Sequence, residues 1–170
     1  LQNSAFRFLQ LGGIILGVDG KKFPKGLPSG WPDKGVPFDQ ISDSTAYAVL
    51  CGHGNLIVID ADSKSQQHAE LIAALATLPP TFTVRTQAGG QHRYYFRDGE
   101  LHNHTLANGA GELRVQNQMV FCPGSQVQGG GEYTILNDAL IATIGGQRLM
   151  EVLAPFLKEI STENGQDMPK

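Results

Sequence analysis

This chain has few cysteines, no excess of positive charge and no long apolar runs. Its only two cysteines, Cys51 and Cys122, lie in apolar, strand-like runs, which predicts buried free thiols and fits a reducing compartment. No apolar stretch approaches the length of a membrane span. Residues 1–13 lack the basic start and small-residue cleavage site of a signal peptide. We therefore expect a cytoplasmic protein with no membrane partner.

The charge balance argues against a generic nucleic-acid coat protein, which would be basic. The formal net charge is -3 and the isoelectric point is about 5.9. Residues 1–34 nevertheless carry a local excess of three positive charges, so any contact with phosphates should use a local patch of this kind.

The composition is that of one folded domain, with 41% hydrophobic residues, a mean hydropathy of -0.17 and no internal repeat. We expect residues 1–160 to form this domain, in two subregions. Residues 161–170 should be a polar tail or a linker to a missing downstream domain, since a chain that begins with Leu1 is expected to be a piece of a longer protein.

The most informative segment is an apolar run, 56–59, that leads directly into Asp60 and Asp62. The run predicts a buried strand, and in a strand residues i and i+2 point to the same face. Two converging carboxylates resist joint ionisation, and a hard divalent cation such as Mg²⁺ or Mn²⁺ resolves the conflict. The alternative is a simple turn with a helix N-cap, for which Ser63 and Ser65 are well placed.

The remaining pattern predicts an α+β fold with a mostly antiparallel sheet, built from hairpins rather than crossovers in its second half. We expect hairpins from 82–86 with 92–97 and from 112–116 with 119–123. Further strands are expected at 13–18, 45–51, 55–60 and 132–136, and helices at 4–10, 66–78 and 146–160. The loop 23–35, with three prolines, three glycines and Trp31, is either a surface loop or a lid beside a substrate.

Polar groups also occur at the starts of two later strands. His92 follows Gly89 and Gly90, while Glu112 and Arg114 are spaced i, i+2. If these strands neighbour the first, three acids, a histidine and an arginine converge, as metal-assisted phosphoryl transfer requires. Taken singly, each has a simpler explanation: a hairpin turn, a solvated histidine or an exposed ion pair.

In order and spacing, these segments resemble the bifunctional primase/polymerase (Prim-Pol) domain of the archaeo-eukaryotic primase superfamily. The resemblance rests on an apolar strand ending in Asp-x-Asp, a Gly-Gly-x-His segment entering an aromatic strand, a third acid, and a Pro-Gly-Ser segment. Here these are 57–62, 89–96, 112–114 and 120–125, and the similarity extends over roughly 24–133.

The resemblance implies a Prim-Pol catalytic core with an N-terminal α/β part and an RRM-like palm sheet. It implies template-directed nucleotidyl transfer by a two-metal mechanism, with Mg²⁺ or Mn²⁺ on Asp60, Asp62 and Glu112. His92 would contact the nucleotide triphosphate. Further candidates for contact with the nucleotide are Gly89, Gly90, Arg114, Ser125 and Lys34.

The implied partners are nucleoside triphosphates, single-stranded DNA template and primer, and a downstream helicase or helical domain of the full-length protein. A prokaryote, plasmid, phage or integrated element is the expected source. Three departures from the family pattern stand out. Gly90 occupies a position that is often Ser, and the third acid is Glu112 where Asp is common. His102 and His104 have no nearby cysteine, so no zinc is expected.

Two other functions stay open from the sequence. A magnesium phosphohydrolase would use Asp-x-Asp as nucleophile and acid, but it leaves His92 without a role. A catalytically inactive replication-initiation module would bind nucleic acid on an RRM-like sheet by stacking bases on Tyr94, Tyr95 and Phe96. At least one of these three aromatics is expected in the core, because consecutive strand residues alternate between faces.

Overall fold

A computed structural model describes residues 7–18, 29, 44–127 and 129–158 of the chain. Most of the proline-rich loop 23–35, Lys34 and the tail 161–170 lie outside these residues. The expectations for a lid and for a terminal linker therefore remain predictions.

The described segments contain ten strands and two α-helices, and residues 7–10 are also helical. The helices are α1 (His68–Leu75) and α2 (Gly146–Leu153). The strands are β1 (Ile14–Val18), β2 (Ala46–Leu50), β3 (Leu56–Ala61), β4 (Thr83–Arg85), β5 (Gln91–Asp98), β6 (His104–Thr105), β7 (Gly111–Arg114), β8 (Met119–Phe121), β9 (Thr134–Asn137) and β10 (Ala142–Gly145). Short 3₁₀ turns occur at His53–Asn55, Ala107–Gly109 and Ala154–Phe156.

The strands form two sheets. One has three strands in the antiparallel order β1-β2-β8. The other has seven, in the order β6-β7-β3-β5-β4-β9, with β10 paired to β5 in parallel. Because β4 pairs only with the first part of β5, the later residues of β5 can pair with β10. The α+β class with mostly antiparallel pairing is therefore confirmed.

The central strands β3 and β5 of the seven-stranded sheet are buried on both faces, with the three-stranded sheet on one side and the helices on the other. Alternation along β3 sends Val58 into the core between the two sheets, and Ile57 and Ile59 into the core beneath the helices. Tyr94 and Tyr95 on β5 divide in the same way, and both are fully buried. Burial of each large apolar side chain contributes about 1.5–3 kcal/mol relative to exposure.

Several sequence predictions are confirmed. The hairpin of β4 and β5 forms around Gly89, whose φ is +89°. Cys51 and Cys122 are buried free thiols, and burial raises the pKa of Cys51 to about 12. The helices are shorter than expected: α1 spans only part of 66–78, and α2 gives way to the 3₁₀ turn Ala154–Phe156. No helix within the described ranges combines the length and apolarity needed to cross a bilayer.

The predicted hairpin of 112–116 with 119–123 is wrong, because β7 and β8 lie in different sheets. The connecting backbone bonds elsewhere: Asn103 Oδ1 accepts hydrogen bonds from the N–H groups of Val115 and Gln116. Cys51 exchanges backbone hydrogen bonds with Asn117 and Gln118. The chain thus crosses from one sheet to the other. The expectation of no crossover in the second half also fails, since β10 joins β5 in parallel.

Candidate active site

Three adjacent strands, β5, β3 and β7, carry the central residues of the site. In their antiparallel register Asp60 lies opposite His92 on one side and opposite Glu112 on the other. The strand order therefore brings together residues that are up to 52 positions apart in the sequence, counting from Asp60 to Glu112.

Glycines allow the neighbouring strands to approach the end of β3 closely. A Cβ atom at Gly90 would overlap the carbonyl oxygen of Ala61, and one at Gly111 would overlap the carbonyl oxygen of Asp60. Gly111 also has φ +142°, a conformation that side chains rarely adopt. Sequence reasoning missed Gly111, although its position directly before Glu112 was the available signal.

Arg114 links two of the acids. Its Nη2 lies 2.9 Å from Asp60 Oδ2 and 3.0 Å from Glu112 Oε2. Its Nη1 donates a 2.8 Å hydrogen bond to the carbonyl oxygen of Met119 in β8, which ties the two sheets together. Arg114 is therefore an integral part of the acidic site.

Asp60 has both carboxylate oxygens engaged, because His92 Nε2 lies 3.5 Å from its Oδ1. Burial raises the pKa of Asp60, but hydrogen bonds to His92 and Arg114 and the charges of both outweigh burial. The net effect is a pKa below the usual 3.8. Asp60 is thus held as a carboxylate at neutral pH, the form that binds a cation.

The structure around Asp62 fits both interpretations of the sequence, a simple turn and a metal ligand. Its Oδ1 accepts a 2.9 Å hydrogen bond from the N–H of Lys64, as in a simple turn. It also lines the same cavity as Asp60. The turn is held beside the β4–β5 hairpin, because Ser63 Oγ donates a 2.6 Å hydrogen bond to the carbonyl oxygen of Ala88.

A cavity of about 490 Å³ opens between the two sheets, a volume that suits a small ligand. One wall is polar and comes largely from the seven-stranded sheet and its hairpin turn: Asp60, Asp62, Thr86, Ala88, His92 and Arg114. The other is largely apolar and comes from the three-stranded sheet: Ala48, Met119, Val120 and Phe121. Asn117, Gln118 and Tyr133 complete the lining.

Glu112 does not line this cavity. It faces a recess of about 70 Å³ beside Asn103, His104 and Thr105, and its contact with the site runs through Arg114. Among the described side chains, no group of three His, Cys, Asp or Glu residues lies close enough to hold a metal ion. The oxygen donors of Asp60, Asp62 and Glu112 still fit the chemistry of Mg²⁺ or Mn²⁺.

Four other residues were predicted for the site. Gly89 and Gly90 form the hairpin turn, where Thr86 Oγ1 accepts a hydrogen bond from the N–H of Gly90. Ser125 is fully buried, and its hydroxyl bonds to both backbone groups of Tyr47, so it is not on the cavity wall. Lys34 lies outside the described residues.

Tyr133 is a cavity residue to which the sequence analysis gave no role. Its ring lies 5.8 Å from that of His92 and 5.3 Å from that of Phe121, measured between centroids. Tyr133 therefore packs against the His92 ring beside the cavity and supports the site.

The comparison with known proteins agrees with this arrangement. Residues 29–151 match the family described as bifunctional DNA primase/polymerase, N-terminal, or Prim-Pol. Curated proteins give no match. The family match spans well over half of the chain. It includes Asp60, His92 and Glu112, and also Gly90 and Gly111, which pack against the end of β3. The chain therefore belongs to the Prim-Pol family of bifunctional DNA primase/polymerase N-terminal domains.

Proposed function

We propose that this chain catalyses metal-dependent, template-directed nucleotidyl transfer, as a DNA primase/polymerase. The observation that carries the proposal is the position of Asp60, between His92 and Glu112 on adjacent strands and on the wall of a cavity of about 490 Å³. The seven-stranded sheet would then be the palm that presents the catalytic acids.

The two walls of the cavity suit the two ends of a nucleoside triphosphate. The apolar wall, with Val120 and Phe121, suits a base or sugar, while the polar wall suits phosphates. Among the described lining residues, Arg114 is the only lysine or arginine, and two aspartates, Asp60 and Asp62, line the same cavity. A triphosphate placed there would be repelled unless further positive charge came with it, which favours a metal-dependent reaction.

In this proposal Asp60, Asp62 and Glu112 hold Mg²⁺ or Mn²⁺. The bound ion neutralises charge on the triphosphate and activates the attacking hydroxyl. Asp60 is kept ionised by its two partners, and His92 reaches the triphosphate from the same strand end. The glycine pair shapes the hairpin turn beside the site: the N–H of Gly89 donates to the carbonyl oxygen of Thr86 and that of Gly90 to its Oγ1. Gly89 and Gly90 would therefore border the nucleotide without donating to it.

The two alternative functions fit less well. A phosphohydrolase with a nucleophilic aspartate also needs a lysine beside the site and leaves His92 without a role, whereas no lysine is among the described lining residues and His92 is on the cavity wall. A base-stacking module needs exposed aromatic rings, whereas Tyr94 and Tyr95 are fully buried and Phe96 is half-buried against the core between the sheets. We further propose that nucleoside triphosphates, a primer and a single-stranded DNA template are the partners, and that a helicase or helical domain acts with this one.

Extension of a labelled primer on a DNA template with Mg²⁺ or Mn²⁺ tests the function. Asp60→Asn and Asp62→Asn should each abolish extension, because the metal-binding charge is lost. Glu151→Gln is the matched control: this acid lies on α2, where it contacts Arg148, and should leave extension unchanged. Extension by Asp60→Asn at the wild-type rate would refute the catalytic assignment.

A further inference from the structure

Arg114 pairs with the two carboxylates that a cation shared by Asp60 and Glu112 would need. Its Nη2 lies 2.9 Å from one carboxylate oxygen and 3.0 Å from the other. The two oxygens are therefore at most 5.9 Å apart, the sum of these distances. To share a divalent ion at about 2.1 Å, these oxygens must lie within about 4.2 Å of each other, and the ion then competes with Arg114 Nη2 for both of them.

The Arg114 guanidinium is only partly fixed by hydrogen bonds. Nη1 is anchored to the carbonyl oxygen of Met119, whereas the buried Nε has no hydrogen-bond partner among the described residues. The Arg114 side chain is 24% exposed and that of Glu112 41% exposed, so solvent can replace part of the pairing. Because Nε has no partner among the described residues and the ion pair with Glu112 is partly exposed to solvent, the guanidinium can turn away from the two acids.

A triphosphate offers Arg114 an alternative partner. Arg114 already lines the cavity, and a planar guanidinium binds phosphate oxygens as readily as carboxylates. When it turns to phosphate, the two carboxylates lose their counter-charge at the moment when a divalent ion is needed there. Release of Arg114 and loading of the ion are therefore linked events.

We propose that Arg114 is a displaceable counter-cation, which neutralises Asp60 and Glu112 until a divalent ion takes its place and then turns to the triphosphate. This inference rests on the proposed function. It assigns to Arg114 a positioning role that couples the binding of metal to the binding of nucleotide. Each ligand should accordingly tighten the binding of the other.

Manganese binding, measured from the electron paramagnetic resonance signal of free Mn²⁺, tests the inference without catalysis. Arg114→Gln removes the competing charge and should tighten Mn²⁺ binding about fivefold or more. Arg114→Lys keeps the charge but cannot bridge both acids and Met119, so it should give an intermediate affinity. Arg148→Gln, which alters an exposed arginine on α2, should bind Mn²⁺ as the wild type does.

The same titration with a non-hydrolysable α,β-imido nucleoside triphosphate tests the coupling. The nucleotide should tighten Mn²⁺ binding to the wild type and have less effect on Arg114→Gln. If binding requires Asp60 but is not tightened by Arg114→Gln, the inference is overturned and the proposed function stands. If Asp60→Asn binds Mn²⁺ as well as the wild type does, both are overturned.

A measurement on the unmodified chain covers the case in which Arg114→Gln does not fold. The Nε–H signals of ¹⁵N-labelled arginine are followed during titration with Mg²⁺, with Arg114 assigned from the Arg114→Lys spectrum. The Arg114 signal should shift at saturation, while that of Arg148 stays in place. An Arg114 signal that does not move at saturating Mg²⁺ would overturn the inference.

Discussion

Asp60 and His92 are directly opposite each other in the register of β3 and β5, and His92 Nε2 lies 3.5 Å from Asp60 Oδ1. Because Arg114 takes the other oxygen, this carboxylate is oriented on both sides before any ligand arrives. Asp62 is held differently, by the backbone N–H of Lys64. Two acids that are equivalent in the sequence motif therefore have different structural roles.

Asp60→Asn and Asp62→Asn should affect stability differently although both abolish extension. Asp60→Asn leaves Arg114 without its nearer counter-charge, and it should lower the free energy of unfolding by about 1–3 kcal/mol. Asp62→Asn keeps an oxygen that accepts the Lys64 N–H, so its effect should stay within about 0.5 kcal/mol. Urea unfolding followed by circular dichroism measures both, and equal stabilities would contradict the assignment of Arg114 to Asp60.

His92→Gln should weaken nucleotide binding more than metal binding. We expect the Kd for a non-hydrolysable triphosphate to rise about tenfold, equivalent to about 1.4 kcal/mol, and the Kd for Mn²⁺ to change by less than about threefold. Calorimetry measures both constants. His102→Gln is the control, since His102 is exposed and contacts only Glu100 among the described charged groups. A primary loss of Mn²⁺ binding would mean that His92 acts through Asp60 rather than on the phosphates.

Gly111→Ala should be far more destabilising than Gly109→Ala, although both positions have positive φ. Gly109 has open space around it, so alanine there costs only the strain of the backbone conformation, about 1–2 kcal/mol. At Gly111 the new methyl group would also overlap the Asp60 carbonyl oxygen, and a loss above about 4 kcal/mol is expected. Chemical unfolding of the two variants compares them, and similar losses would show that β7 can move away from β3.

Local patterns in the sequence predicted the parts of the fold whose cause is local. The apolar run before Asp60 identified β3, and the glycines beside His92 identified the β4–β5 hairpin. The destination of β8 was not predictable in this way, because Asn103 and Cys51, both distant in sequence, bind the connecting backbone. The i, i+2 spacing of Glu112 and Arg114 suggested their ion pair, whereas the contact of Arg114 with Asp60 was not predictable, because it depends on the pairing of β3 with β7.

DNA binding by this chain alone should be weak and strongly dependent on salt. Its net charge is -3, and non-specific affinity for DNA comes mainly from lysine and arginine contacts with phosphates. Arg93 donates to the carbonyl oxygen of Leu75 and Arg97 to that of Gly99, whereas Arg85 is exposed. We expect a Kd above about 10 µM for single-stranded DNA at physiological salt.

Fluorescence anisotropy and primer extension, each measured from 50 to 200 mM salt, check this expectation. Extension of a preformed primer should be detectable at low salt and fall steeply, and de novo priming should be weak or absent without further domains. If Arg85 contacts phosphate, Arg85→Gln should reduce the slope of log affinity against log salt by about 0.7, whereas Arg148→Gln should not change it. Tight binding at 200 mM salt would mean that the fold gathers its few cations into one groove, and that this domain holds its template unaided.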